Sequence, residues 1–279
     1  MIDLHLHTTA SDGKLRPSAL VALAARANLR VISVTDHDTV AGLAEAREAA
    51  TAHGLRLVNG IEVTAVEQSR DVHVLGYFID PENEALGRFL ETQRADRVNR
   101  VREIGARLKA LGCEIDVEAI IATSAALLGR SLGRPLIADA LVAKGLALDR
   151  RDAFDRLLGN DGPAFVPRCG SSVARVSAII AEAGGIASLA HPVLLRDDAV
   201  IPGYAAGLSA IEVRHREHDA AAEERYRALA RELNLSVSGG SDFHGEPVTD
   251  LGTITLPQDD FDALEARATA LQSRADASA

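Results

Sequence analysis

The chain has 279 residues, 47% of them hydrophobic and 25% charged, so it can build one large α/β domain or one core with an inserted subdomain. Its formal net charge of −10 argues against non-specific binding of a polyphosphate duplex, although divalent cations gathered at one mouth would reverse the sign locally. Trp is absent and aromatics are only 3%, which argues against an aromatic surface for stacking bases.

The two cysteines, Cys113 and Cys169, form no CxxC pair and read as reduced structural thiols. The N-terminus shows no basic region followed by an apolar run, and no window approaches ~18 uninterrupted apolar residues. The expected location is therefore cytoplasmic, with no membrane partner and no obligate protein partner.

In chain order, short β-rich runs alternate with Ala-rich amphipathic stretches. Candidate strands cover Ile2–Thr8, Val31–His37, Arg56–Ala65, Val72–Ile79, Gly185–His191, Ser209–His215 and Leu235–Asp242. Candidate helices cover Pro17–Ala27, Thr39–His53, Val173–Ala183 and Ala220–Leu233, with Pro17 near a start and Gly54 just past an end. The pattern predicts an α/β fold, a seven-stranded (β/α)7 barrel or a distorted relative of one, with a doubly wound open sheet as the alternative.

The alternation breaks between about residues 84 and 167, where a long charged helix from Ala85 to Leu111 carries Arg94, Arg97, Arg100, Arg102 and Arg107. These arginines are interleaved with acidic residues and read as a solvated face. The predicted organisation is a barrel from residues 1–99 and 166–279 with a helical insertion over 100–165.

Nine histidines occur, most of them at predicted strand ends. His5 and His7 lie two apart on the first strand and face one side. Asp12 follows in a Ser-Asp-Gly turn, His37 ends the second strand, and Glu62 and His73 lie on the third and fourth. His191 ends the fifth, and Asp242 and His244 close the seventh. In a parallel barrel the C-terminal strand ends share one face, so these residues are expected to converge. Imidazole nitrogens with carboxylate oxygens and no thiolate suit Mn²⁺, Fe²⁺ or Zn²⁺, and so many donors suit two or three ions. Asp36 is expected to orient an imidazole, and Asp38 or Thr39 to cap the following helix.

The series His5-Leu6-His7, Ser11-Asp12-Gly13, Thr35-Asp36-His37-Asp38, Glu62, His73, His191-Pro192 and Ser241-Asp242-Phe243-His244 resembles the motifs of the polymerase-and-histidinol-phosphatase (PHP) family, in order. The resemblance spans residues 3 to 245 and implies a distorted seven-stranded, TIM-like barrel and a metal-dependent phosphoesterase. It also implies a ligand set. His5, His7, Glu62 and Asp242 would hold one ion; Glu62, His73 and His191 a second; Asp12, His37 and His244 a third. His191 and Asp242 are the expected catalytic residues.

The Gly129-Arg130-Ser131-Leu132-Gly133-Arg134-Pro135 loop resembles the insertion segment of nucleotide-cleaving members, except that Leu136 stands where many of those have His. Arg130, Ser131, Arg134, Arg168 and His218 are accordingly the expected substrate contacts, since guanidinium groups bind phosphate bidentately. Glu212, Arg214 and His215 are expected at the mouth without ligating metal.

The implied substrate is a small phosphorylated nucleotide, in particular a nucleoside 3′,5′-bisphosphate, with short RNA as a further substrate. Histidinol phosphate is the alternative within the same chemistry. A non-catalytic metal-binding module is the alternative of another class.

Overall fold

The computed structural model describes residues 1–126 and 132–276. Seven strands form one sheet in sequence order: β1 (Ile2–Leu6), β2 (Val31–Val34), β3 (Arg56–Glu67), β4 (Arg70–Tyr77), β5 (Ile186–Leu189), β6 (Ala210–Arg214) and β7 (Ser236–Gly239). The helices are α1 (Pro17–Arg26), α2 (Leu43–His53), α3 (Glu84–Ala110), α4 (Val117–Ala126), α5 (Arg134–Ala143), α6 (Arg150–Ala153), α7 (Val173–Glu182), α8 (Ile201–Tyr204), α9 (Ala220–Glu232) and α10 (Gln258–Asp276). No helix among the described residues is long and apolar enough to cross a membrane.

The sheet curls almost into a closed barrel. Leu6 bridges in parallel to Phe243, just beyond β7, and the His7 amide donates to the Phe243 carbonyl. Inside, Ser188 on β5 bonds Ser238 on β7 at 2.7 Å. Strands separated by a third stand roughly 9.5 Å apart in a flat sheet, so a direct bond between two short side chains marks steep curvature.

The apolar faces point outward onto helices. Ile2, Leu4 and the middle of the sheet bury Ile179 and Ile180 of α7, Tyr226 of α9 and Phe261 and Leu264 of α10. Leu6, Ile32 and Val34 pack with α1 and α2. Helix α3 belongs to two cores. Leu86 and Leu90 pack on the barrel, whereas Val101, Ile104 and Leu108 join a separate cluster with α5 and residues 157–166.

One strand departs from the parallel expectation. β4 runs antiparallel to both β3 and β5, and it follows β3 through a tight turn at Gln68 and Ser69, both with positive φ. His73 therefore lies in the first half of a reversed strand, opposite Thr64. The reversal brings the beginning of β4 to the same mouth as the ends of β3 and β5.

The closure leaves no room beside β1. A Cβ on Gly240 would lie 2.3 Å from the His5 nitrogen and 2.5 Å from its Cβ. Gly240→Ala should displace β1 at a cost of about 1–3 kcal/mol, read as a lowered melting temperature of the metal-stripped protein. An unchanged melting temperature would show that β1 and β7 can separate freely at this point.

Candidate metal centre

Strand alternation aims Asp3, His5 and, just past the strand, His7 into the barrel while Ile2, Leu4 and Leu6 face the helices. Asp3 accepts the Ser241 amide at 2.9 Å and its hydroxyl at 2.6 Å, tying β1 to the segment that carries Asp242 and His244. His5 donates from Nδ1 to Glu212 Oε1 at 3.0 Å. Its Nε2 faces Glu62 Oε2 at 3.3 Å and Asp242 Oδ1 at 3.4 Å.

Glu62 is the centre of the arrangement. Its Oε2 meets His5, His7 (3.2 Å) and His37 (3.1 Å), while its Oε1 meets His73 (2.9 Å) and His191 (3.0 Å). His7 Nε2 also approaches Asp242 Oδ1 at 3.1 Å. The ligand atoms of His5, His7, Glu62 and Asp242 lie within 4.8 Å of one another, as do those of His7, Asp12, His37 and His244. A further group joins His37, Glu62 and His73, and His191 meets the same Glu62 Oε1, with its Nε2 3.3 Å from His73 Nδ1. The structure thus brings together all nine residues picked out as ligands, and it places His7 against two of the groups rather than one.

The charges in this pocket are unbalanced. Burial works against charge on His7, yet the adjacent Asp242 and Glu62 carboxylates hold its imidazole up to about 10. His5 is raised in the same way, against burial, by Glu212, Glu62 and Asp242. Glu62 and Asp242 sit well below the usual carboxylate range, the imidazoles overcoming a burial that would raise them. For His37 burial wins, and the ring is held down to about 3. The buried carboxylates therefore demand positive charge.

Divalent ions would satisfy that demand while freeing the imidazoles to act as neutral ligands. Buried His7 Nδ1 and Nε2 and His37 Nδ1 approach carboxylates without hydrogen-bond geometry, as convergent ligand atoms do. Nitrogen and carboxylate donors without sulfur fit a borderline or hard divalent ion.

Three of these residues close strands with strained backbone. Asp38 (φ 51), His191 (φ 25) and Asp242 (φ 53) all hold positive φ, a conformation costing about 1–3 kcal/mol for a non-glycine residue. Asp38 does not cap a helix. Its carboxylate accepts the Thr64 amide at 2.8 Å and the Thr64 hydroxyl at 3.1 Å, and pairs with Arg97. Asp36 does not reach an imidazole either; it accepts the Thr8 amide and hydroxyl, both at 2.7 Å, and the Ser11 hydroxyl at 2.6 Å, shaping the turn that presents Asp12.

Behind the ligands stand Glu212 and His215, both fully buried. Glu212 spans two of them, accepting His5 Nδ1–H and, at 2.7 Å, the His191 amide. His215 Nδ1 accepts the Glu217 amide, so its proton sits on Nε2, 3.4 Å from Asp242 Oδ2. Alternation on β6 gives the signal for Glu212: it shares a phase with Ala210 and Arg214, between the outward Ile211 and Val213.

The expected substrate contacts are divided. Arg134 and Arg168 line one cavity of about 550 Å³ together with Arg100, Asp71 and Phe165. Arg168 pairs with Asp71 at 2.9 Å, two residues before His73. Arg134 also bonds the Leu158 carbonyl and Asn160 Oδ1, over the Phe154 and Phe165 rings. His218 donates from Nδ1 to the Val213 carbonyl at 2.8 Å and packs on His215 and Tyr226, away from the arginines. Arg130 and Ser131 lie outside the described residues. The α3 row is not uniformly solvated: Arg97 is mostly buried, and Arg100 donates to the Val166 carbonyl.

Comparison with known proteins agrees with this geometry. The profile of the PHP domain matches residues 3–129. The 3′,5′-nucleoside bisphosphate phosphatase of Chromobacterium violaceum is 34% identical over 265 residues, covering 92% of each chain. The chain belongs to the PHP family. A 5′-3′ exoribonuclease of Haemophilus influenzae is 32% identical over 87% of this PHP chain and 89% of its own. The solved structure of an inferred metal-dependent phosphoesterase from Bifidobacterium adolescentis superposes with a TM-score of 0.80 at 34% identity, covering 95% of this chain and 96% of that one. This PHP chain is a metal-dependent phosphoric ester hydrolase on a seven-stranded, TIM-like α/β barrel.

Glu212 offers a direct test of how the site is held. A glutamine cannot accept both the His5 Nδ1–H and the His191 amide without turning its NH₂ toward one donor. Glu212→Gln should weaken Mn²⁺ binding about 10- to 100-fold, measured by calorimetric titration of the stripped protein. Unchanged affinity would mean that His5 and His191 hold their orientation without it.

Proposed function

We propose that this enzyme releases phosphate from small nucleotides, in particular the 3′-phosphate of nucleoside 3′,5′-bisphosphates. The observation that carries the reading is a cavity lined by five arginines, Arg100, Arg134 and Arg168 among them, and by Asp71, two residues before His73. Burial, Arg168 and Arg134 together lower Arg100 to about 10, and burial and Arg168 also work against charge on Arg134. Asp71 and Asp197 offset part of the charge of the five arginines, and the excess that is left favours an added anion. A second phosphate bound there places the scissile one over the Glu62 cluster. The cationic amine of histidinol phosphate would meet the wrong sign.

In this reading His5, His7, Glu62 and Asp242 hold one ion, Glu62, His73 and His191 a second, and Asp12, His37 and His244 a third, with Mn²⁺ the first candidate and Fe²⁺ or Zn²⁺ the others. Such ions supply a water nucleophile near neutral pH and neutralise phosphate oxygens. Asp242 has Oδ1 toward His5 and His7 and Oδ2 3.4 Å from His215 Nε2, so it would hold an ion with the first two and orient the attacking water by accepting a hydrogen bond from it. His191, held by Glu212 through its amide, keeps Glu62 Oε1 aligned with His73.

A second pocket of about 230 Å³ shares Arg100 and Arg168 with the first. That continuity favours short 5′-phosphorylated RNA as a further substrate.

Side-by-side turnover of adenosine 3′,5′-bisphosphate, AMP, histidinol phosphate and a short 5′-phosphorylated RNA tests the assignment. Arg168→Ala should raise KM for the bisphosphate about 10- to 100-fold, as loss of a charged hydrogen bond does, while AMP changes little. Equal losses on both, or preference for histidinol phosphate, would contradict it.

A further inference from the structure

Arg97 reaches from the middle of α3 to the mouth of the barrel, with its side chain only 12% exposed. It pairs with Asp38, the residue directly after His37, and donates from Nη2 to Thr64 Oγ1 at 3.1 Å. Thr64 lies two residues beyond Glu62 on the same phase of β3 and faces His73 across the hairpin. One guanidinium thus grips the loop of one candidate ligand and the strand pair that carries two more.

Docking of α3 does not need this contact. Leu86 and Leu90 already bury the helix against the barrel, Gln93 donates to the Thr64 carbonyl at 3.0 Å, and Arg100 donates to the Val166 carbonyl at 2.9 Å. An arginine is a poor choice for packing alone here. Burial and the neighbouring Arg168 and Arg100 oppose its charge, and Asp12 favours it. What a planar cation adds is a fixed hold on Asp38, whose backbone stands at φ 51.

We propose that Arg97 is a positioning residue for His37: through Asp38 it fixes the imidazole of the Asp12–His37–His244 group. The effect on metal rests on the assignment of His37 as a ligand to that group.

The test uses the full, metal-stripped protein and Mn²⁺ alone. Arg97→Met keeps the length of the side chain and removes its charge. It should weaken Mn²⁺ at the site formed by Asp12, His37 and His244 about 10-fold or more, the size of effect seen when a ligand loses its support, with the sites on Glu62 less affected. Asp38→Asn should do the same, and the double variant should do no worse than either single one. The His37 ring signals in the metal-free protein should shift in both variants.

Where Arg97→Met does not fold, Arg97→Lys carries the test, because it keeps the charge and loses the fork; a smaller weakening of the same site is expected. Affinities unchanged at every site, weakening of all sites alike, or an unmoved His37 signal would overturn the proposal. A wild-type protein that takes up no third ion would count against the ligand assignment, and the His37 signal would then decide the positioning on its own.

Discussion

Everything at the mouth of this barrel is arranged around one buried carboxylate. Glu62 has no water to solvate it and five imidazoles within 3.3 Å of its two oxygens. A charge so placed is tolerable only if cationic partners surround it. Protonated His5 and His7 can supply that charge in the bare protein, but protonated rings cannot ligate. Divalent ions resolve the conflict, because they neutralise Glu62, Asp242 and Asp12 and leave each imidazole neutral with a lone pair inward.

The fold exists to make that convergence rigid. Strand alternation sends the apolar side chains of β1 outward, Ile2 and Leu4 to one helix-covered core and Leu6 to the core of α1 and α2, and the polar ones inward, so the interior includes Asp3, Ser188, Ser238 and Glu212. Ser188 and Ser238 satisfy each other, while Asp3 and Glu212 bond the segments and rings that carry the ligands. Glu212 fixes the His5 tautomer, Asp36 the turn bearing Asp12, and Asp3 the segment bearing Asp242. Strained backbone at Asp38, His191 and Asp242 is the local cost of aiming three side chains inward from strand ends.

Much of this was legible in the sequence. His5 and His7 share a strand face by simple periodicity, and His37, His191 and Asp242 fall where predicted strands end. The seven strands and the long α3 lie within a few residues of their expected positions. The reversal of β4 was not legible, because His73 sits in an apolar-rich strand that reads the same in either direction. Its turn uses Gln68 and Ser69 in place of the Asn-Gly pair that advertises a hairpin. Arg97 was hidden too, since a row of arginines interleaved with acids looks solvated until a helix is laid on a barrel. The roles of Asp36 and Asp38 depend on Thr8 and Thr64, which are distant in sequence from the one and from the other.

Anomalous diffraction from crystals soaked in Mn²⁺ tests the central claim most directly. The account predicts peaks on both sides of Glu62, one among His5, His7 and Asp242 and one between His73 and His191, with a further peak near Asp12 and His244. No peak in contact with Glu62, or occupancy on the Glu212 side of His5, would contradict it.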